Sequence, residues 1–291
     1  MLGDCHIHMI LDGVYYRAAI DAQKSAVDEA LVRRRLEDYR ASGITFLRDG
    51  GDAWGVGSFA ARIAPEYGID YRTPAFPIHR KGRYGGFIGC GFDNMQEYAA
   101  LVQRAKAEHA DFIKIMISGL MDFDTYGRIT SQPLTAAEIR EMIHIAHAEG
   151  FAVMAHANGA DTVKQALEAG VDSIEHGAYL DESAVEMLAH SHAVWTPTLV
   201  TIGNLIGCGR YPDDVLRPLY EYHCQMIRRC AELGGSIALG SDNGAYLVPH
   251  VRGTMDELRH LQHAIGENTL AVLAAGEEEI RKHFRHGEVG L

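Results

Sequence analysis

The chain has 291 residues and a formal net charge of −12, with 47% hydrophobic and 23% charged residues. This is an ordinary globular composition, and a single α/β barrel can occupy such a length. An acidic surface repels phosphate backbones, so nucleic acid is not an expected partner. No run of about 18 apolar residues predicts a membrane span, and the first residues lack the pattern of a secretory signal.

The cysteines, five in number, include no Cys-x-x-Cys pair. An odd count without such a pair argues against a disulfide framework and against a thiolate zinc cluster. No low-complexity stretch or Pro/Gly linker divides the chain. We therefore expect a single domain over residues 1–291, located in the cytoplasm.

Short apolar runs alternate with helical patterns along the whole chain. The runs predict strands at residues 2–9, 44–49, 69–78, 112–118, 152–156, 173–176, 193–200 and 236–241. The patterns between and after them predict helices at residues 27–41, 94–109, 135–149, 160–169, 181–190, 213–233 and 267–284, followed by a short tail. The helix at 135–149 has the clearest start, because Thr135 and Glu138 form a capping-box pattern.

Strands that alternate with helices at this spacing indicate a parallel α/β sheet whose strands are buried on both faces. Eight such units predict a closed (β/α)8 barrel, the TIM barrel. An open doubly wound sheet is the alternative.

Residues able to bind a metal stand at the ends of five predicted strands. They are His6 and His8 on strand one, Lys114 on strand four, His156 on strand five, His176 on strand six and Asp242 after strand eight. Residues two apart on a strand share a face, so both imidazoles of strand one can point to the same end of the barrel. Barrel active sites lie at the carboxyl ends of the strands.

Each of these residues has an ordinary explanation when it is taken alone. A His-x-His pair arises by chance, His156 and His176 could be hydrogen-bonded core residues, and Asp242 could form an Asx turn. Taken together at one end of a barrel, they favour a metal site. Four imidazoles and a carboxylate suit zinc or a similar divalent ion.

Lys114 has a specific role in such a site. It stands in an apolar strand, where a charged amine is costly and loses its proton readily. As a neutral amine it can add CO2, and the resulting carbamate can bridge two divalent metal ions. The ions would share a bridging hydroxide. Asp242 would accept its proton as general base and return it to the leaving amine as general acid.

This pattern resembles the amidohydrolase superfamily, in the binuclear branch that has a carboxylated lysine, and is most similar to its imidazolonepropionase-like and Xaa-Pro dipeptidase-like members. The matching segments are Asp4-Cys5-His6-Ile7-His8, Phe112-Ile113-Lys114-Ile115, Ala155-His156-Ala157, Ile174-Glu175-His176-Gly177 and Gly240-Ser241-Asp242. The resemblance implies His6 and His8 on the more buried metal, His156 and His176 on the more exposed one, Lys114 between them, and Asp242 as shared ligand and base. Many members also carry a small β-sandwich, and we expect this chain to lack it.

The loop after strand three is basic within an acidic protein. It runs His79-Arg80-Lys81-Gly82-Arg83-Tyr84. It predicts contacts from His79, Arg80, Arg83 and Tyr84 to an anionic part of the substrate, with His79 also polarising the scissile carbonyl. A solvated turn is the alternative. Tyr126, after strand four, is a further candidate for substrate binding.

These inferences predict a metal-dependent hydrolase that cleaves the C–N bond of an amide, dipeptide, N-acyl amino acid or cyclic amide. The expected partner is a small-molecule substrate bearing a carboxylate, and a homo-oligomer is left open. A lactone or phosphoester hydrolase with the same metal site is the alternative among enzymes. A catalytically silent metal-binding interaction protein is the alternative of another class.

Overall fold

The structure, a computed structural model, describes residues 2–286, and for Leu2 only the backbone. Its strands are β1 (Leu2–Ile7), β2 (Ile44–Asp49), β3 (Asp70–Arg72), β4 (Pro77–Arg80), β5 (Cys90–Phe92), β6 (Ile113–Met116), β7 (Val153–Ala157), β8 (Ser173–His176) and β9 (Val194–Thr196). Every named pairing is parallel, in the orders β1-β2-β3 and β5-β4-β6-β7-β8-β9. The predicted parallel α/β fold is confirmed, and no β-sandwich is present among these strands of the described chain.

The barrel closes through the segment predicted as strand eight. This segment runs between β9 and β1. The amide of Trp195 in β9 donates to the carbonyl of Ser236 at 2.9 Å, and the amide of Cys5 in β1 donates to the carbonyl of Leu239 at 2.7 Å. It forms only isolated bridges, so the prediction of a regular strand at 236–241 is wrong in detail. Asp242, just beyond it, has φ 58°, which takes the backbone out of the extended region.

The predicted third strand, 69–78, is two strands. β3 pairs with β2 and β4 pairs with β6, and between them the chain bends at Pro74, which has no amide hydrogen to give to a ladder. Ala75 follows with φ 61°. The short strand β5, paired with β4, was not predicted from the sequence.

The helices cover the outside of the barrel and its mouth. They are α1 (Tyr16–Asp21), α2 (Glu29–Ala41), α3 (Val56–Ile63), α4 (Met95–Ala107), α5 (Ala136–Ala148), α6 (Ala160–Glu168), α7 (Glu182–Ala189), α8 (Val200–Gly203), α9 (Asp213–Glu232), α10 (Arg252–Ile265) and α11 (Thr269–His283). The seven predicted helices are present within two residues at each end, and the capping box of Thr135 and Glu138 is formed.

Four helices, α1, α3, α8 and α10, were not predicted. The first and third have six and four residues, which is too short for a helical period to be recognised. The predicted tail after Phe284 lies partly outside the described residues. No helix in the described part of the chain is both long and apolar enough to cross a membrane. The single-domain assignment to residues 1–291 stays a prediction.

One end of the barrel is sealed by apolar packing. Phe112 and Val194, at the starts of β6 and β9, pack with Phe46 of β2 against Ile280 and Phe284 of the α11 region. The Phe112 and Phe284 rings meet edge to face at 5.4 Å. Because this end is filled, the polar side chains of the strands have access to solvent only at the other end.

Candidate metal centre

All six predicted metal ligands line one cavity of about 490 Å³ at the carboxyl ends of the strands. They are His6, His8, Lys114, His156, His176 and Asp242. The structure therefore brings together side chains that lie up to 236 positions apart in the sequence, as the sequence predicted.

His6, His8 and Asp242 form the tightest group in the cavity, with one potential ligand atom from each lying within 4.8 Å of the others. Asp242 Oδ1 is 3.6 Å from His6 Nε2 and 3.3 Å from His8 Nε2. The buried nitrogens His6 Nε2 and His8 Nδ1 have no hydrogen-bond partner among the described residues. A buried nitrogen without a partner is costly, and a cation bound beside His6 Nε2 would satisfy it.

The rings of His156 and His176 meet edge to face, and that of His176 also lies close to His6. Their ring centroids are 4.5 Å apart, and the ring of His176 is 5.1 Å from that of His6. His156 Nε2 lies 3.1 Å from the carbonyl of Gly119, and His176 Nδ1 lies 2.7 Å from Thr198 Oγ1. With these nitrogens donating, Nδ1 of His156 and Nε2 of His176 keep their lone pairs for a metal.

Burial keeps the imidazoles neutral. It lowers the pKa of His6 and of His176 well below the ordinary value, with further lowering by neighbouring positive groups. It also lowers the pKa of His156 to about 3, assisted by the charge of Lys114. A neutral imidazole is the form that binds a metal, so all three rings are in the required state near neutral pH.

Lys114 is 1% exposed, and its Nζ has no hydrogen-bond partner among the described residues. Burial lowers the pKa of this amine to about 8, against the opposing charges of Glu175 and Asp242. A fraction of the side chain is therefore uncharged near neutral pH, which is the form able to react with CO2.

Asp242 remains ionised in this surrounding. Burial works against its charge, but the hydrogen bond from His8 and the nearby amine of Lys114 hold its pKa below the usual value. An ionised carboxylate can both bind a cation and accept a proton. The donor set fits a pair of divalent ions: four imidazoles, one carboxylate and one reactive amine.

Two buried residues that the sequence did not single out support His6. Glu175 Oε2 lies 2.7 Å from His6 Nδ1, and Glu175 Oε1 accepts a hydrogen bond of 2.9 Å from Arg48. The Arg48–Glu175 ion pair is fully buried. In the sequence, the role of Glu175 was indicated only by its position next to His176 in the segment Ile174-Glu175-His176-Gly177.

Three residues of the site have a left-handed backbone. The φ angles are 66° for His176, 50° for Thr198 and 58° for Asp242. For residues other than glycine this conformation is strained, and it is concentrated at functional sites. His176 ends β8, Thr198 follows β9 by two residues, and Asp242 follows the segment at residues 236–241.

His79 and the arginines of the basic loop do not line the cavity, although the sequence predicted that they contact the substrate. His79 is 7% exposed, and its Nδ1 donates to the carbonyl of Arg80 at 3.0 Å. Its ring packs against Gly85 of the loop and Gly91 of β5. Arg80 pairs with Glu138 of α5. Neither residue lines the cavity, nor do Arg83 and Tyr126.

Tyr84 is the one member of the predicted substrate set that lines the cavity, with its ring 4.6 Å from that of His156. Tyr126 is 47% exposed and packs on Tyr179 at 5.5 Å. The two tyrosines belong to different loops, Tyr84 to the loop after β4 and Tyr126 to the loop after β6.

The chain belongs to the amidohydrolase family, whose sequence profile matches residues 4–277. That range includes all six residues of the candidate metal centre. The motif resemblance found in the sequence is thereby confirmed.

Individual relatives agree with this assignment. The chain is 24% identical to ochratoxinase of Aspergillus niger over 83% of its own length and 57% of that protein, and 27% identical to imidazolonepropionase of Nocardia farcinica over 94% and 64%. Among solved structures, it resembles A. niger ochratoxinase with a TM-score of 0.78 and 22% identity, over 98% of this chain and 74% of that one. It also resembles a Xaa-Pro dipeptidase with bound methionine, with a TM-score of 0.75 and 22% identity, over 96% of this chain and 74% of that one. The chain spans 42% to 64% of the length of the curated relatives it matches.

Proposed function

We propose that this protein is a metal-dependent hydrolase that cleaves the C–N bond of an amide, dipeptide, N-acyl amino acid or cyclic amide. The observation that carries the proposal is the convergence of six ligand-type side chains on one cavity, with His6 Nε2 and Lys114 Nζ buried and without hydrogen-bond partners. Family membership, together with the names of the relatives, supports a reaction at a C–N bond.

His6 and His8 would hold one ion, and His156 and His176 the other, with zinc favoured by the donor set. Lys114 would bridge them as a carbamate. In its formation the neutral Nζ would add to the carbon of CO2 while one C–O π bond opens onto oxygen, and one N–H proton would pass to water, which leaves a carbamate anion. Two bound cations would polarise the scissile carbonyl and lower the pKa of an attacking water.

Asp242 would perform the proton transfers. Its Oδ1 faces His6 and His8, which leaves Oδ2 to accept a proton from the attacking water. The same atom would return that proton to the leaving nitrogen, so that the amine departs in neutral form. The depressed pKa of Asp242 keeps the carboxylate ready to accept the proton.

The decisive experiment combines metal analysis with a substrate panel on purified protein. We expect close to two divalent ions per chain, as a binuclear site requires, and turnover of at least one dipeptide, N-acyl amino acid or cyclic amide. Only traces of metal would contradict the binuclear site. Turnover confined to lactones or phosphotriesters would replace the C–N assignment, and full metal content without any turnover would favour an interaction protein.

A further inference from the structure

Aromatic side chains dominate the wall of the cavity above the candidate metal centre. The aromatic lining residues are Tyr15, Tyr16, Tyr84, Phe87, Phe123, Tyr211 and Tyr246. They come from the start of α1, from the loops after β4 and β6, from the loop before α9 and from the segment that follows residues 236–241. Five different segments therefore contribute to one apolar wall.

These aromatic residues pack on one another in two groups. Phe87 contacts Tyr16 at 5.3 Å and Tyr84 at 5.7 Å, and Phe123 contacts Tyr211 at 5.2 Å between ring centroids. Rings held by other rings form a wall of fixed shape. Such a wall favours a planar or otherwise large apolar group.

The exposure of apolar side chains points to the same place. Seven large hydrophobic side chains are exposed in the described chain, and four of them line this cavity: Val14, Tyr15, Tyr16 and Tyr246. Exposed apolar residues that are gathered at one opening indicate a binding surface, whereas scattered ones need no explanation.

Arg210 is the one arginine that lines the cavity. Its guanidinium carbon lies 4.4 Å from the ring centroid of Tyr246 and 5.3 Å from that of Tyr211. None of the ion pairs within the described residues involves Arg210, although Asp242 lines the same cavity. The two tyrosine rings therefore hold a permanent cation at the cavity wall with its hydrogen-bond donors free of carboxylates.

The cations of the basic loop, Arg80, Lys81 and Arg83, do not line the cavity, and two of them are paired with carboxylates. Arg80 pairs with Glu138, and Lys81 pairs with Asp93 at 2.6 Å and Glu97 at 3.3 Å. An anionic group that enters the cavity would therefore meet Arg210 in place of the basic loop.

We propose that Arg210 binds the carboxylate of the substrate, and that the aromatic wall holds an aromatic or similarly large apolar group of the same molecule. This inference rests on the proposed hydrolase function and narrows its substrate class to carboxylate-bearing amides with a large apolar part. A guanidinium can bind a carboxylate through two parallel hydrogen bonds, and its stacking on Tyr246 orients it for that contact.

The test uses N-benzoyl-L-phenylalanine and its carboxamide. The two compounds differ only in the terminal group, which is an anionic carboxylate in the first and a neutral amide in the second. Their dissociation constants are measured by calorimetry in metal-loaded Asp242→Asn protein, in which we expect turnover to be slowed by about 10² to 10⁴. The release of benzoate is followed in protein that retains Asp242. Both measurements are repeated after Arg210→Gln and, as a control, after Arg217→Gln. Arg217 is a surface residue that pairs with Asp213 outside the cavity.

We expect the carboxylate to bind about tenfold or more tightly than the carboxamide, as a charge-assisted hydrogen bond implies. Arg210→Gln should remove that preference and raise KM for the carboxylate with little change in kcat, and Arg217→Gln should leave both unchanged. A preference that survives Arg210→Gln, or equal binding of the two compounds or binding of neither, would overturn the inference.

The two proposals fail in different ways. A carboxylate preference that depends on Arg210, without benzoate release by the metal-loaded protein, would support the ligand assignment and contradict the hydrolase assignment for this compound class. Benzoate release that is insensitive to Arg210→Gln would support the hydrolase and contradict the role of Arg210.

Discussion

Glu175 Oε2 lies 2.7 Å from Nδ1 of His6. Because a carboxylate oxygen only accepts hydrogen bonds, this contact puts the ring proton on Nδ1 and leaves the lone pair on Nε2, which faces Asp242. The orientation of the His6 ring is thus set by a residue of β8, a strand that does not pair with β1.

Replacing Glu175 by glutamine should weaken both the site and the fold. Metal affinity should fall about tenfold to 100-fold, because His6 loses the partner that fixes its tautomer. The free energy of unfolding should fall by about 3 kcal/mol, since Arg48 is left buried without its counter-charge. Metal titration and chemical denaturation measure the two effects.

The double variant Arg48→Met/Glu175→Gln separates them. It removes the unpaired charge, so we expect stability to recover in part while metal affinity stays low. Recovery of metal affinity in the double variant would mean that Glu175 acts through the fold alone.

Lys114→Ala should lose most of the bound metal and all measurable turnover. The reason is that the alanine side chain cannot form a carbamate between the two ions. Short carboxylic acids such as acetate or propionate should restore part of the activity by supplying the bridging oxygens. Lys106→Ala, at a surface ion pair with Glu149, is the control and should retain full metal content. Unaltered metal content in Lys114→Ala would refute the bridging role.

Asp242→Asn should keep a folded barrel and reduce kcat by about 10² to 10⁴, the usual range for loss of a general base. The amide still fills the same space beside His6 and His8 but cannot take up a proton. Circular dichroism and metal analysis check that the fold and the metal content are retained. A rate within a few fold of the original would exclude Asp242 as the base.

Thr198→Val should loosen His176. The valine preserves the shape of the side chain and removes the oxygen that lies 2.7 Å from His176 Nδ1. We expect metal affinity to fall about tenfold at one of the two sites. Thr198→Ser, which keeps the hydroxyl, should bind both ions normally, and metal titration distinguishes the two variants.

Glu257 should make stability depend on pH. It is buried on α10, and burial raises its pKa to about 8 against the amide hydrogen bonds of Val200 and Leu199. The unfolded chain has an ordinary glutamate pKa near about 4.3, so the folded state holds an extra proton between these values. Its contribution to stability is therefore present at low pH and is lost as pH rises through about 8.

Thermal unfolding from pH 5 to 8.5 tests this with Glu257→Gln. The melting temperature of the unmodified protein should fall relative to that of the variant as pH rises, because glutamine does not titrate. If the melting temperatures of the two proteins change in parallel with pH over this range, Glu257 has the same protonation state in the folded and unfolded chains.

Much of the fold could be read from the sequence because it depends on local regularities. The alternation of apolar runs with helical patterns predicted a parallel barrel, and the capping box at Thr135 and Glu138 marked the start of α5. The break in the third strand at Pro74, the short strand β5 and the irregular closure near Asp242 were missed, since their bounds are set by neighbouring strands.

The sequence by itself determined which residue types stand at the strand ends, and so it identified His6, His8, Lys114, His156, His176 and Asp242 as one group. Only the tertiary structure decided how the rings of His6, His156 and His176 are oriented, that Glu175 contacts both His6 and Arg48, and that Arg80 and Lys81 pair with carboxylates outside the basic loop. It also brought Arg210 to the cavity wall. The physical reason is that these are contacts between distant segments, fixed by barrel closure and by competition among charges, and no local period in the chain encodes them.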